Sequence, residues 1–235
     1  MANLILIPAF NEAKAIGQTI ESLNKLDFDI IVINDGSTDS TGKIVSEAAE
    51  NNPRIQLLSL PLNSGIGAAV QTGLLYARDN QYDYAIQFDG DGQHDAACIE
   101  PMLEHAIQHD LSLCIGSRFL DKKSFTSSAL RQVGIRFFAR LIGSLSSAKV
   151  TDPTSGFRVY GPQVIARFAE HYPDDYPEPE ALFWCARNGM KVGEYPVTMR
   201  ERQGGQSSIR YLNTVYYMLK VSFAILIDRL RRKEL

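Results

Sequence analysis

Short apolar runs alternate with helical patterns through the first half of this 235-residue chain. This alternation is typical of βαβ units and predicts an α/β fold, a Rossmann-like, mostly parallel sheet flanked by helices. Ligands bind at the carboxyl ends of the strands in such sheets, so we expect functional residues directly after each apolar run. The predicted strands cover residues 4–7, 30–33, 55–60, 85–88 and 111–115, and the predicted helices cover residues 12–26, 41–50, 68–78 and 99–108.

The composition is that of an ordinary globular protein. Hydrophobic residues make up 45% of the chain and charged residues 22%, which favours one large domain and excludes disordered and fibrous classes. The three cysteines lie far apart, so we expect small buried side chains in a reducing compartment. Because no basic, cleavable leader precedes the first predicted strand, we expect a cytoplasmic protein.

Two carboxylates separated by one glycine, Asp89 and Asp91, follow the fourth predicted strand. Gly90 and Gly92 let the backbone turn tightly, so both carboxylates can converge on one hard cation and leave room for phosphate oxygens. Such an ion would neutralise the charge that develops on a departing diphosphate. The alternative is a solvated turn that binds nothing.

The second predicted strand ends in a polar turn that contains Asp35. A carboxylate at this position can accept a hydrogen bond from a nucleotide base or a ribose hydroxyl. Asp39 or Ser40 is expected to cap the helix that follows.

Four turn motifs in this order resemble those of family 2 glycosyltransferases with the GT-A fold. The resemblance is to the branch that transfers sugars to dolichyl or polyprenyl phosphate, and it extends over nearly the whole chain. The motifs are Ile-Pro-Ala-Phe-Asn-Glu at 7–12, Asn-Asp-Gly-Ser-Thr-Asp at 34–39, Asn-x-Gly-x-Gly at 63–67 and Asp-Gly-Asp at 89–91.

The resemblance implies ligand contacts for the residues in these turns. Mg²⁺ or Mn²⁺ would be held by Asp89, Asp91 and Gln93, whose oxygens suit a hard cation. His94 is expected at the polar rim of the site and not as a ligand. The residues implied to bind the nucleotide are Pro8, Ala9, Asn11, Glu12, Asp35, Asp89 and Gly90.

The resemblance also implies an acceptor side and a donor-sugar side. Arg118 and Arg131 correspond to arginines that receive the acceptor's phosphate, and a guanidinium group suits phosphate because it donates two parallel hydrogen bonds. Arg202 lies in a two-glycine loop that resembles the one that closes over the diphosphate. The donor sugar is implied to contact the turn residues Thr154, Ser155 and Gly156.

Glu180 lies near the position where members with saccharide acceptors carry a catalytic base. A phosphate acceptor is already ionised at neutral pH and needs no base, so Glu180 either holds sugar hydroxyls or positions a loop. The residues predicted to act in catalysis are Asp91, Arg202 and Glu180.

The C-terminal region combines positive charge with an apolar stretch. From residue 199 onward eight lysines and arginines stand against three acidic residues. Residues 211–227 are apolar, but they are too few to span a bilayer and include Asn213 and Lys220. We predict a GT-A catalytic domain in residues 1–208 and, in residues 209–235, an interfacial amphipathic helix that binds a membrane or another copy. Arg136 and Arg140 repeat this pattern in residues 136–145.

The expected function is inverting transfer of a sugar from a UDP- or GDP-sugar to a polyprenyl phosphate at the inner face of the plasma membrane. A small integral membrane protein is a hypothetical partner, a homo-oligomer is another, and no nucleic-acid partner is expected. Three alternatives stay open: a transferase that acts on a saccharide hydroxyl, a sugar-nucleotide pyrophosphorylase, and a non-catalytic nucleotide-binding subunit. The pyrophosphorylase would require a glycine-rich loop with basic residues after the first strand, and residues 8–12 contain neither.

Overall fold

A computed structural model describes the backbone of residues 1–121, 129–146, 148–173, 177–199 and 211–230, without the side chains of residues 129–131 and 211–217. The strands in these ranges are β1 (Asn3–Ala9), β2 (Asp29–Asn34), β3 (Ile55–Ser59), β4 (Tyr84–Gln87), β5 (Leu113–Ser117), β6 (Arg158–Tyr160) and β7 (Val192–Pro196). The α-helices are α1 (Ile16–Leu23), α2 (Thr41–Asn51), α3 (Ile66–Asp79), α4 (Ile99–Gln108), α5 (Ala129–Leu145), α6 (Pro162–Glu170), α7 (Pro177–Arg187) and α8 (Tyr211–Leu230).

The strands form one sheet in the order β3-β2-β1-β4-β6-β5-β7. β1 pairs in parallel with β2 and with β4, β2 pairs in parallel with β3, and β5 pairs in parallel with β7. Among the strands described, β6 alone runs antiparallel to its neighbours, β4 and β5. The predicted mostly parallel sheet flanked by helices is therefore confirmed.

The sequence patterns did not predict β6 or β7. β6 has three residues, too few to show an alternating pattern, and Arg158 pairs with Gln87 on one side and with Ile115 on the other. Because β6 is antiparallel, it begins where β4 and β5 end. The turn of residues 152–157 is therefore carried to the carboxyl edge of the sheet.

The first helix is shorter than predicted, beginning at Ile16 instead of residue 12. The amides of Asn11 and Glu12 donate to the hydroxyls of Ser37 and Thr41, at 3.0 and 2.9 Å. Asn11 has a φ of 56°, a left-handed conformation that asparagine tolerates better than most residues. The residues before α1 are therefore bound to residues 37–41, and the regular helix begins only at Ile16.

Apolar side chains pack on both faces of the sheet. Successive residues of a strand point to opposite faces, so Leu4 and Leu6 contact one cluster and Ile5 and Ile7 contact the other. Helices α3 and α5 to α8 contribute to the first cluster, and α1, α2 and α4 contribute to the second. β1 is consequently buried on both faces, as its unbroken apolar sequence predicts.

Two of the three cysteines, Cys114 and Cys185, are buried as expected, and burial raises the pKa of both thiols to about 12. Cys98 is half-buried. Both buried thiols therefore stay protonated and unreactive at neutral pH.

Helix α8 has one face in the core and another in solvent. Val221 and Ile225 belong to the core, and Asp228 forms an ion pair with Arg187 of α7 at 3.1 Å. The opposite face exposes large apolar side chains, among them Leu219 and Phe223. None of the helices in the described ranges combines the length and the apolar character needed to cross a bilayer.

A buried ion pair joins the end of β5 to the turn before β6. Arg118 donates from Nε and Nη2 to the two carboxylate oxygens of Asp152, at 2.5 and 2.6 Å. The side chains are 3% and 0% exposed. Burying two charges costs several kcal/mol, which is compensated only when both partners are present.

We expect Asp152→Ala to destabilise the protein by about 3–5 kcal/mol, because it leaves a buried guanidinium without its counter-charge. The free energy of unfolding in urea measures this loss. The matched control is Glu47→Ala, which breaks the exposed pair with Lys43 on α2 and should cost less than about 1 kcal/mol. Equal losses for the two variants would contradict the prediction.

Candidate active site

The turns after β1, β2 and β4 meet at the carboxyl edge of the sheet. The amide of Asp35 donates to the carbonyl of Ala9 at 2.9 Å, which joins the ends of β1 and β2. A β-carbon on Gly90 would lie 3.5 Å from the carbonyl oxygen of Pro8, which shows how closely the turn after β4 approaches β1. The predicted clustering of these motifs is therefore present.

Asn11 and Asp39 connect the first two turns. The Oδ1 atom of Asn11 accepts hydrogen bonds from the amides of Thr38 and Asp39, at 2.8 and 3.3 Å. Asp39 accepts from the amide and the hydroxyl of Thr41, the first residue of α2, so it binds an amide at the start of the helix, whereas Ser40 at the N-cap position makes no capping hydrogen bond through its side chain. Burial raises the pKa of Asp39, but the hydrogen bonds from Thr41 and Ala13 lower the pKa by more than burial raises it, so the net shift is downward.

Asp35 holds the loop that leads into α3. Its carboxylate oxygens accept from the amides of Ser64 and Gly65, at 2.7 and 2.9 Å, and the residue is 4% exposed. Gly36 has a φ of 64°, and a β-carbon there would lie 2.5 Å from the amide nitrogen of Asn63. Asp35 thus fixes the shape of this loop, and its contact with a nucleotide stays a prediction.

Asp89 lies between His94 and the backbone of Gly156. One carboxylate oxygen, Oδ2, is 3.0 Å from Nε2 of His94. A β-carbon on Gly156 would lie 3.0 Å from the same oxygen, so a larger residue there would require the carboxylate to shift. Burial raises the pKa of Asp89, but the charge and hydrogen bond of His94, with smaller effects from Gln87 and Arg118, lower it below its ordinary value.

Asp91 and Gln93 complete the predicted cation site. Asp91 is 7% exposed and accepts a hydrogen bond from the amide of Gln93 at 3.0 Å, while Gln93 is half-buried. In the described ranges, no three side chains of the His, Cys, Asp and Glu types gather closely enough to hold a metal ion. Mg²⁺ is commonly bound by one or two carboxylates together with substrate phosphates, so the donors after β4 fit a cation that arrives with a diphosphate.

His94 is in the interior and not at the rim where the sequence placed it. Its side chain is fully buried, with ring centroids 5.3 Å from Phe88 and 4.9 Å from Phe157. Phe157 belongs to the turn before β6, and β6 was not predicted. The sequence therefore could not predict that Phe157 packs on His94.

The turn of residues 152–157 brings the predicted donor-sugar residues next to Asp89. Thr154 accepts from Nη2 of Arg118 at 3.0 Å, Ser155 is fully buried, and Gly156 contacts Asp89. The sequence assigned Arg118 to the acceptor's phosphate, but the structure gives its Nε and Nη2 atoms to Asp152. One edge of the guanidinium is therefore committed to Asp152, and the contact of Arg118 with the acceptor's phosphate stays a prediction.

A second buried arginine, Arg158, ties this turn to α7. It donates to the carbonyls of Pro153, Ser155 and Glu178, at 3.2, 2.8 and 2.8 Å. The carboxyl group of Glu178 interacts electrostatically with Arg158 and Asp89, and burial raises its pKa above the ordinary value. The sequence singled out Glu180 and missed Glu178, although both stand in the same Pro-Glu-Pro-Glu segment.

The structure describes the remaining predicted residues, Glu180, Arg131 and Arg202, only in part. Glu180 is half-buried in the first turn of α7. The backbone of Arg131 lies in the first turn of α5, but its side chain lies outside the described residues, as does all of Arg202.

Comparison with known proteins gives the same assignment as the turn motifs. A UDP-N-acetylglucosamine–dolichyl-phosphate N-acetylglucosaminyltransferase of Methanococcus voltae is 31% identical over 212 residues, which cover 82% of this chain and 83% of that protein. A polyprenol monophosphomannose synthase of Mycolicibacterium smegmatis is 27% identical over 226 residues, which cover 93% and 85%. These names belong to the predicted branch.

A solved structure shows the same fold. A mannosyltransferase of Pyrobaculum calidifontis, in complex with GDP-Man and Mn²⁺, matches with a TM-score of 0.71 at 15% identity. The match covers 99% of this chain and 65% of that one, and it confirms the predicted GT-A fold. The family model of glycosyl transferase family 2 matches residues 4–168. The chain therefore belongs to glycosyltransferase family 2.

Proposed function

We propose that this enzyme transfers a sugar from a UDP- or GDP-sugar to a polyprenyl phosphate, with inversion, at the inner face of the plasma membrane. The observation that carries the proposal is the turn after β4, which contains Asp89 and Asp91 and in which Asp89 lies beside Gly156, a residue predicted on the donor side. Relatives named for dolichyl or polyprenol phosphates support the choice of acceptor.

The turn after β4 is assigned to the diphosphate of the donor. Asp89, Asp91 and Gln93 would hold Mg²⁺ or Mn²⁺, and this ion supplies Lewis-acid stabilisation of the charge on the leaving diphosphate. The lowered pKa of Asp89 keeps its carboxyl group ionised at neutral pH, which is the form that binds a cation.

The turns after β1 and β2 are assigned to the base and ribose. Asn11 holds these two turns together, and Asp35 fixes the neighbouring loop through the amides of Ser64 and Gly65. Turns whose shape is set by internal hydrogen bonds are preorganised, so binding costs little ordering. The residues assigned to the base and ribose are Pro8, Ala9, Asn11, Glu12 and Asp35.

The reaction proposed is a single displacement. A phosphate oxygen of the acceptor bonds to the anomeric carbon while the bond from that carbon to the diphosphate oxygen breaks, so the configuration inverts. Arg131 is assigned to the acceptor's phosphate and Arg202 to the leaving diphosphate. Arg118, whose Nε and Nη2 atoms bind Asp152, is assigned with Arg131 to the acceptor's phosphate.

Helices α5 and α8 are assigned to the membrane surface. Exposed apolar side chains stand on both, including Phe137 on α5 and Phe223 on α8, and Arg229 connects them through the carbonyl of Leu145 at 2.7 Å. Arg136 and Arg140 on α5 are also exposed, which suits anionic lipid headgroups. The alternative occupants of this face are a small integral membrane protein and a second copy of the chain.

Asp91→Asn should reduce transfer from UDP-glucose, UDP-N-acetylglucosamine or GDP-mannose to undecaprenyl phosphate by at least about a hundredfold, because a metal ion contributes several kcal/mol of charge stabilisation. The initial rate in Mn²⁺ buffer measures this, and Asp95→Asn in the same turn is the control expected to stay active. Full activity of Asp91→Asn in chelator would contradict the metal role, and a product with retained anomeric configuration by NMR would contradict the single displacement.

Substitution of the two α7 glutamates distinguishes a phosphate acceptor from a saccharide acceptor, because only a saccharide hydroxyl needs a base. Glu178 is a candidate base because burial, with a smaller effect from Asp89, raises its pKa. With a phosphate acceptor, Glu178→Gln and Glu180→Gln should both keep their maximal rates, since no base is needed. Loss of about 10²- to 10⁴-fold in either variant, the usual contribution of a general base, would favour the saccharide hydroxyl.

Phe223→Glu should weaken binding to vesicles that contain phosphatidylglycerol at least about tenfold, because burying a large apolar side chain contributes about 1.5–3 kcal/mol. Co-sedimentation measures the bound fraction. Leu75→Glu is the control, because Leu75 is an exposed apolar residue on α3. If the wild-type chain does not bind protein-free vesicles, α8 instead contacts a partner protein or a second copy.

A further inference from the structure

His94 is buried against Asp89, and the function proposed above gives it no task. An imidazole ring carries two nitrogens that require hydrogen-bond partners, and burial without a partner costs free energy. Nδ1 of His94 is buried and has no partner among the residues described. The contact between Nε2 and Oδ2 of Asp89, at 3.0 Å, is therefore the polar contact that accounts for a histidine at this position.

The ring is held rigidly. Phe88 and Phe157 pack against it, and its side chain is fully buried. The backbone of His94 also pairs with Met199 in an isolated antiparallel bridge. The position of Nε2 is thus set by Phe88 directly after β4, by Phe157 before β6 and by Met199 after β7.

The carboxylate of Asp89 is restricted on both sides. Nε2 of His94 contacts Oδ2, and the backbone of Gly156 approaches both oxygens, since a β-carbon there would lie 3.0 Å from Oδ2 and 3.1 Å from Oδ1. Rotation of the carboxylate would break the hydrogen bond between Oδ2 and His94. One oxygen is therefore committed to the protein, and the other keeps a set direction.

We infer that His94 is a positioning residue that orients the carboxylate of Asp89 for the divalent cation proposed above. A ligand held in its binding orientation loses no rotational freedom when the ion arrives, so the affinity for the ion rises. His94 donates the hydrogen on Nε2 to Asp89 and does not itself bind the ion. This inference rests on the cation site in the proposed function.

The test is a titration of Mn²⁺ in the presence of UDP or GDP, followed by the electron paramagnetic resonance signal of free Mn²⁺. His94→Leu fills the pocket without a donor and should raise the Kd of Mn²⁺ about 10- to 100-fold, the usual effect of losing a hydrogen bond to a metal ligand. His94→Gln should recover most of the affinity, because its amide nitrogen reaches the position of Nε2. His109→Leu is the control, since His109 is exposed and lies before β5, at the opposite edge of the sheet.

If His94→Leu does not fold, the His94→Gln and His94→Asn variants test the same inference. The amide nitrogen of Asn reaches only the position of Nδ1, so His94→Asn should bind Mn²⁺ as weakly as a variant without a donor. An unchanged Kd in folded His94→Leu, or equal Kd values for the Gln and Asn variants, would overturn the positioning role. If the wild-type chain binds no Mn²⁺ with either nucleotide, the proposed cation site itself is wrong.

Discussion

The candidate site depends on the pairing of β6 between β4 and β5. The register that places Arg158 opposite Gln87, continued by two residues, places Gly156 opposite Asp89. Neighbouring strands lie only about 4.8 Å apart, so the turn before β6 must contact the turn after β4. The donor-side turn, the packing of Phe157 on His94 and the restriction of Asp89 all follow from this single antiparallel pairing.

Two carboxylates in this part of the structure each have a basic side chain nearby. Arg118 pairs with Asp152, and His94 contacts Asp89. Burial by itself favours a neutral carboxyl group, but the interaction with His94 and, to a smaller extent, the interactions with Gln87 and Arg118 lower the pKa of Asp89. Because a cation binds the ionised carboxylate, the surrounding charges prepare this side chain before any ligand is present.

Two sequence predictions were wrong, and each was wrong because a distant contact decided the outcome. α1 begins at Ile16 because the residues before it are bound to residues 37–41, where Ser37 and Thr41 accept from the amides of Asn11 and Glu12. His94 is buried because Phe157 packs on it. The pairing of Arg118 with Asp152 was not predicted either, because it joins residues 34 positions apart. Local periodicity carries no information about any of these partners.

The sequence by itself determined the succession of the first five strands along the chain, the placement of the polar turns at their ends and the family, because periodicity and motif spacing are local properties. Only the tertiary structure decided which strand lies beside β4, which histidine holds Asp89 and which arginine is already paired. Those choices join residues far apart in the chain, such as Gln87 and Arg158. They follow from sheet register and close packing, which exist only when the whole fold has formed.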